Sequence, residues 1–198
     1  ARKWRDEQKR PWLDSVPMIT LLDEKTTARK PYPLSWEEQS ILFSELPEHL
    51  QIMAMFKVNT GCREQEVCKL QWDWEIAIPE LGTSVFLIPA GFGGRTQKAG
   101  VKNRDERLVV LNDIAKSIID KQRGQHPKHV FPFGKPDEHG IATTINRMND
   151  AAWKRGRVRA TKKWLETHIR KAHEGFTKIR VHDLKHTFGR RLRAAGVT

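Results

Sequence analysis

Residues 181–198, VHDLKHTFGRRLRAAGVT, have the spacing of an amphipathic helix and constrain the fold more than any other segment. One helical face holds the residues at positions i, i+3, i+4 and i+7, which are His182, Lys185, His186 and Gly189. A second face is apolar and consists of Leu184, Phe188, Leu192 and Ala195. The spacing therefore predicts a helix that packs on a core and also presents proton-transfer groups and cations. An ordinary amphipathic helix with solvated charges has the same pattern, so the segment alone leaves both readings open.

The distribution of charge predicts a polyanionic partner. The formal net charge is +12 and the sequence pI is near 10.0. Residues 151–198 contain fourteen Lys or Arg residues and three acidic ones, so this part carries nearly all of the net charge. Such asymmetry is typical of proteins that bind nucleic acid. A structureless basic tail is disfavoured because Trp153, Trp164 and Phe176 are interleaved with the charges.

Composition also argues against a membrane protein and against a metal site. No apolar run approaches the roughly 20 residues that a membrane span needs, and there is no signal peptide, so we expect a cytoplasmic protein. Cys62 and Cys68 are the only cysteines, and their spacing fits no zinc pattern. We expect reduced thiols and no metal.

The chain is expected to divide at residue 35. Residues 1–34 are rich in charge and proline, which predicts a linker or arm. Residues 35–198 are predicted to form one α+β domain, mainly helical, with a small antiparallel three-stranded sheet. Ser35 and Glu38 form a capping box that begins the first helix, and a second helix begins at about Pro47. The predicted strands are 75–78, 85–88 and 108–111, and the later helices are 112–123, 143–155 and 161–172.

The segment Asn59 to Trp74, NTGCREQEVCKLQWDW, contains a candidate phosphate clamp. Thr60 is predicted to cap a helix in which Arg63 lies near the N-terminus and Glu66 can fix its guanidinium. The residues predicted to share a face are Arg63, Glu66, Val67, Leu70 and Trp74. A guanidinium at this end of a helix is unfavourable unless an anion is held there. A surface pair between Arg63 and Glu66 is the alternative from spacing alone.

The segment between the last two strands, GFGGRTQKAGVKNRDE, contains Lys98 and Lys102. Its glycines lack the spacing of a phosphate-binding P-loop. We therefore interpret it as a hairpin tip that carries a lysine.

Three segments together resemble the tyrosine recombinases, the phage-integrase family. TGCREQEVCKLQWDW resembles the family's T-G-x-R-x-x-E box, and VHDLKHTFGRRLRAAGV resembles its H-x-L-R-H-T-F box. VKNRDERLVVLN resembles the strand pair that carries the family's lysine. Their order and spacing agree over residues 35–198. The resemblance implies site-specific DNA recombination or integration, by cleavage and rejoining through a 3′-phosphotyrosyl intermediate and without a cofactor.

The resemblance assigns roles by position. Arg63 corresponds to the family's first arginine, with Glu66 as its support, and Lys102 to the hairpin lysine that protonates the departing 5′ oxygen. Lys98 is the fallback for that role. His182 corresponds to the proton-transfer histidine, and His186 to a group that orients its neighbours. The residues expected to contact DNA outside the reacting groups are Lys98, Lys162, Lys163 and Arg190.

Two departures from the family pattern affect the expected activity. Lys185 stands where the family usually has a second arginine, so a point charge replaces a bidentate fork. The sequence stops at Thr198, before the family's tyrosine nucleophile, and its one tyrosine, Tyr32, matches no family position. We therefore expect a fragment of a longer integrase that binds DNA without cleaving it.

Two other functions are alternatives to that of a recombinase. One is a non-catalytic DNA-binding accessory protein on the recombinase scaffold. The other is an HD-type metal phosphohydrolase built on His182 and Asp183, which needs more His and Asp ligands than the sequence offers.

The resemblance also implies the partners. These are double-stranded DNA attachment sites, further copies of the protein assembled on DNA as a tetramer, and host or phage DNA-bending proteins. A bacterial location at the nucleoid, and no membrane partner, follow from the same resemblance.

Overall fold

The part of the chain that the structure describes is mainly helical and contains one small antiparallel sheet. The structure is a computed structural model that describes residues 5–10, 29–92, 105–134, 143–145, 147–168 and 171–197. The chain divides into two units, residues 1–30 and residues 31–198. The second unit contains the core and every described residue of the candidate site.

The helices of the second unit differ in length. The longer ones are α1 (Trp36–Ser44), α2 (Glu48–Thr60), α4 (Asp113–Gln122), α5 (Ala151–Thr167) and α7 (Val181–Ala194), and the short ones are α3 (Glu64–Cys68) and α6 (Glu174–Thr177). The predicted capping box is confirmed, because Ser35 Oγ accepts from Glu38 N at 3.1 Å and Glu38 Oε2 accepts from Ser35 N at 2.9 Å. In the described ranges, no helix is both long and apolar enough to cross a bilayer.

The predicted α+β fold with a three-stranded antiparallel sheet is confirmed. The strands are β1 (Glu75–Ile78), β2 (Thr83–Ile88) and β3 (Arg107–Val110), and their order in the sheet is β1-β2-β3. Both pairings are antiparallel, with Ile76 opposite Val85 and Val110 opposite Val85 on the other side. The sheet therefore holds β3, which follows the lysine-bearing segment, directly beside β2.

The predicted helix around Arg63 is wrong in its bounds. Thr60 does not cap it, because Thr60 is the last residue of α2 and its hydroxyl donates to Phe56 O at 2.9 Å. Gly61 follows with a left-handed φ of 64° and ends α2. Helix α3 begins only after Arg63 and stops at Cys68. Leu70 and Trp74 therefore lie beyond this helix and do not share a helical face with Arg63.

The two helices predicted at 143–155 and 161–172 are also wrong. One continuous helix, α5, spans Ala151–Thr167 instead, and Asp150 caps its start by accepting a hydrogen bond from Trp153 N at 2.9 Å. Thr143 lies outside it and pairs with Phe133 in an isolated β-bridge. Near its middle, Gly156 lies so close to Leu46 that α5 packs tightly against the end of α1.

The core joins α2 to most other elements. Helix α2 contacts α1, α3, α4 and α7, and buries Leu50, Met53 and Phe56. The predicted C-terminal helix is confirmed as α7, although it ends at Ala194. Ala195 is exposed rather than part of the apolar face, because the helix stops before it. The packing of α7 on α2 brings the two sequence boxes together.

Candidate functional site

A glycine makes the close approach between the two boxes possible. Gly61, which ends α2, lies against the ring of Phe188 on α7, and a β-carbon on Gly61 would be 2.4 Å from Phe188 Cδ1. No side chain fits there, and the left-handed φ of 64° also favours glycine. The turn after α2 therefore lies directly on the helix that carries His182 and Lys185.

Arg63 and Glu66 are joined more tightly than a surface pair. Arg63 Nη1 lies 3.0 Å from Glu66 Oε1, and the backbone N–H of Arg63 donates to Glu66 Oε2 at 2.6 Å. The side chain of Glu66 is 0% exposed, whereas that of Arg63 is 31% exposed. A buried carboxylate thus holds the inner side of the guanidinium, and the outer part reaches the surface. This arrangement argues against the alternative of a solvated surface pair.

Arg107 is a site residue that the sequence reasoning missed. It begins β3, and its Nη1 lies 2.6 Å from Glu66 Oε2 while its Nη2 donates to Gly61 O at 3.0 Å. A signal was present in the sequence, because a strand alternates faces and Arg107 shares its face with the buried Val109. Arg107 therefore ties the sheet to the turn that precedes Arg63.

Lys185 lies close to the same cluster. Partial burial lowers the pKa of Lys185, and repulsion from Arg107 and Arg63 lowers it further, while Glu66 acts in the opposite direction. The fold thus brings Lys185 near the two arginines that bind the buried carboxylate of Glu66, close enough for all three charges to act on it.

His182 and His186 occupy the adjoining face of α7, as the spacing predicted. Their ring centroids are 5.0 Å apart in an edge-to-face arrangement. Desolvation lowers the pKa of His182, and the charges of His186, Lys57 and Lys185 lower it further. The lowered pKa favours the neutral imidazole, the form that can accept a proton.

Lys57 is the second residue that sequence reasoning missed. It lies in the last turn of α2, is 0% exposed, and donates a hydrogen bond from Nζ to Cys62 O. Burial lowers the pKa of Lys57 to about 8. The signal was its spacing, because Leu50, Met53, Ala54 and Lys57 fall at i, i+3, i+4 and i+7 on the apolar stripe of α2.

Tyr32 is packed onto the domain and engaged. Its hydroxyl donates to Glu38 Oε1 at 2.6 Å, its ring stacks on His173 at 4.7 Å, and its backbone N–H donates to Asp183 Oδ1 at 3.2 Å. Desolvation and the hydrogen bond to Glu38 raise the pKa of this phenol well above its usual value. Tyr32 is therefore poorly suited to act as a nucleophile.

The residues expected to bind DNA have different surroundings. Lys162 is 80% exposed and lies 3.9 Å from Glu166, whereas Lys163 Nζ binds Glu45 Oε1 at 2.9 Å and Ser44 Oγ at 3.0 Å. Arg190 is exposed on α7. Lys98 and Lys102 lie outside the described residues. Among the residues that are described, no three His, Cys, Asp or Glu side chains are grouped so as to hold a metal ion.

A curated protein and several solved structures are similar to this chain. The chain matches no sequence profile of a known family. It is 28% identical to the integrase of Salmonella phage P22 over 196 residues, which is 95% of this chain and 43% of that protein. The chain thus spans less than half the length of this curated relative.

Two solved structures have the same fold. The Tn1549 transposon integrase in complex with circular intermediate DNA matches with a TM-score of 0.52 and 16% identity, over 86% of this chain and 57% of that one. The XerH recombinase bound to its difH substrate matches with a TM-score of 0.51 and 16% identity, over 96% of this chain and 48% of that one. The chain therefore shares the fold of these two recombinases, and its sequence boxes resemble those of the tyrosine recombinases.

Proposed function

We propose that this domain binds one phosphate of duplex DNA in the cleft between the turn after α2 and helix α7, and that it serves site-specific recombination or integration of a mobile element or prophage. The observation that carries the proposal is that Arg63 and Arg107 both bind the buried carboxylate of Glu66, with the ammonium group of Lys185 nearby. Positive charge in excess of the local carboxylate favours an anion at the open side of the cluster.

The residue types fit in-line phosphoryl transfer, which depends on positioning and fixed positive charge. Arg63 is the residue placed to bind the non-bridging oxygens, because Glu66 holds its guanidinium from behind and leaves the outer edge accessible. Lys185 adds a point charge without the bidentate geometry of an arginine. His182 is proposed to take a proton, because its lowered pKa favours the neutral ring, and His186 beside it is proposed to orient that ring.

In the proposed reaction a tyrosine oxygen attacks the phosphorus, and the bond to the 5′ oxygen breaks. Lys102 is proposed to protonate the departing oxygen, with Lys98 as the other candidate. The phosphodiester energy is kept in the 3′-phosphotyrosyl bond, so no cofactor is proposed. Tyr32 is held by Glu38 and has a raised pKa, so we assign the nucleophile to a residue outside this sequence.

The proposed partner is double-stranded DNA at attachment sites. The Tn1549 integrase and XerH relatives are described as DNA complexes, which supports this partner. The charge of residues 151–198 supports it as well. Assembly as a tetramer on DNA, cooperation with DNA-bending proteins and a cytoplasmic location at the nucleoid complete the proposal.

The test is a covalent trapping assay on nicked DNA that spans the ends of the element, with the full-length gene product that contains this sequence. We expect a denaturant-resistant protein–DNA adduct with the wild type and none with Arg63→Ala, although both bind duplex DNA. Equal adduct yields from the two would remove Arg63 from the reaction. A normal gel shift with no adduct from either would instead favour the non-catalytic DNA-binding protein.

A further inference from the structure

Lys57 holds both ends of the turn that precedes Arg63. Its backbone carbonyl accepts the N–H of Gly61 at 2.9 Å, and its Nζ donates to the carbonyl oxygen of Cys62. The turn between these two contacts contains Thr60, Gly61 and Cys62. One lysine therefore closes the loop with its main chain and with its side chain.

The second of these contacts acts on the peptide group that orients Arg63. The carbonyl of Cys62 and the N–H of Arg63 belong to the same planar unit, so fixing one fixes the other. Lys57 donates to the carbonyl, and Glu66 Oε2 accepts from the N–H at 2.6 Å. A cationic donor and a carboxylate acceptor thus hold one peptide plane from opposite sides.

Burial of this lysine is costly and calls for an explanation. Lys57 is 0% exposed, lies on the same stripe as Leu50 and Met53, and has a pKa lowered to about 8. An apolar residue would fit that stripe without the cost of desolvating an ammonium group. The contact of Lys57 with Cys62 O explains this desolvation cost if it serves to orient Arg63.

We propose that Lys57 is a positioning residue for Arg63. It acts through the Cys62–Arg63 peptide and sets the direction in which the Arg63 guanidinium leaves the turn. Lys57 is too deeply buried to touch DNA itself. This proposal rests on one part of the proposed function, the binding of a phosphate by Arg63.

The experiment compares Lys57→Met with Met53→Ala, and both are buried substitutions on α2. In the described residues, no hydrogen bond joins Met53 to the Cys62–Arg63 peptide. The Met53→Ala substitution therefore tests a loss of packing alone. The first readout is hydrogen exchange of the Arg63 backbone N–H. We expect exchange about tenfold faster in Lys57→Met, relative to the wild type, and unchanged in Met53→Ala.

The second readout is the affinity for a short duplex DNA at fixed salt, in a double-mutant cycle with Arg63→Ala. We expect Lys57→Met to weaken binding roughly fivefold to tenfold in the wild-type background and to have no further effect once Arg63 is absent. Equal weakening in both backgrounds would overturn the proposal, because Lys57 would then act independently of Arg63.

The two readouts separate this proposal from the proposed function. Unchanged Arg63 exchange in Lys57→Met overturns the positioning role, whatever the DNA affinity. Faster exchange in Lys57→Met, with no effect of Arg63→Ala on DNA binding, supports the positioning role and overturns the assignment of Arg63 to a phosphate.

Discussion

Gly61 and Phe188 are in contact across the two boxes, and the contact leaves no space for a side chain at position 61. A β-carbon there would lie 2.4 Å from Phe188 Cδ1 and 2.8 Å from Phe188 Cε1. The residues come from α2 and α7, which are far apart in sequence. This contact sets the distance between the arginine of one box and the lysine and histidines of the other.

Gly61→Ala is expected to destabilise the domain by about 3 kcal/mol or more, because the left-handed backbone costs about 1–2 kcal/mol and the clash adds to it. Gly82→Ala is the matched control, since Gly82 has a φ of 59° and nothing within 4 Å of the new β-carbon. The control should lose only about 1 kcal/mol. Urea unfolding of both variants measures the difference, and equal losses would show that Phe188 yields to the methyl group.

Glu66→Gln is expected to lower the free energy of unfolding by about 2 kcal/mol. The substitution leaves Arg63 and Arg107 without their carboxylate, and partial exposure of both arginines reduces the cost below that of a fully buried pair. Glu166→Gln, at an exposed position on α5, should change stability by less than about 0.5 kcal/mol. A loss no larger than that of Glu166→Gln would mean that water can replace Glu66.

Lys57 should make stability rise between about pH 8 and pH 10. Burial lowers the pKa of Lys57 to about 8, whereas an unfolded lysine titrates near 10.4. In this window the unfolded chain binds more protons than the folded one, so raising the pH favours the folded state. Between pH 8 and pH 10 the free energy of unfolding of the wild type should rise relative to that of Lys57→Met by about 2 kcal/mol.

Urea unfolding of the wild type and Lys57→Met at pH 7, 8, 9 and 10 checks this prediction. Two other groups near Lys57 also titrate. Burial raises the pKa of Cys62 to about 11, and partial burial lowers the pKa of Lys185. Both variants keep these groups, so their contributions largely cancel in the difference. Parallel curves for the two variants would show that Lys57 keeps its proton across the whole range.

Lys162 and Lys163 are neighbours in sequence, but only Lys162 is expected to contribute fully to the salt dependence of DNA binding. Lys162→Ala should reduce the slope of log K against log salt by about 1, because its ammonium group is exposed. Lys163→Ala should change the slope less, since Lys163 already binds Glu45 and Ser44. The measurement is DNA affinity over a series of salt concentrations for both variants. Equal slope changes in Lys162→Ala and Lys163→Ala would contradict this prediction.

Local patterns predicted much of the fold. The capping box at Ser35, the three strands and the helix that carries His182 and Lys185 depend on residues close together in sequence. Helix bounds were less predictable where a tertiary contact decided them. Helix α2 ends at Gly61 where the chain meets Phe188, and α5 continues through the predicted gap between two helices as it packs on α1.

Most residues of the candidate site were visible in the sequence boxes, and two were not. Arg63, Glu66, His182 and Lys185 were predicted because their types and spacing match a known pattern. Arg107 and Lys57 were missed, although strand alternation and the apolar stripe of α2 placed both on buried faces. The sequence pattern predicts that such a charged side chain is buried, but only the fold shows which group it pairs with.

The sequence by itself determined the resemblance to the tyrosine recombinases, the basic character of residues 151–198 and the residue types available for phosphate chemistry, because these depend on composition and short-range spacing. Only the tertiary structure decided which charges meet. It placed Arg107 from the sheet and Arg63 from the turn on one buried carboxylate, and it paired Lys163 with Glu45 while leaving Lys162 in solvent. Electrostatic energy depends on distance and burial, and neither can be read from spacing along the chain.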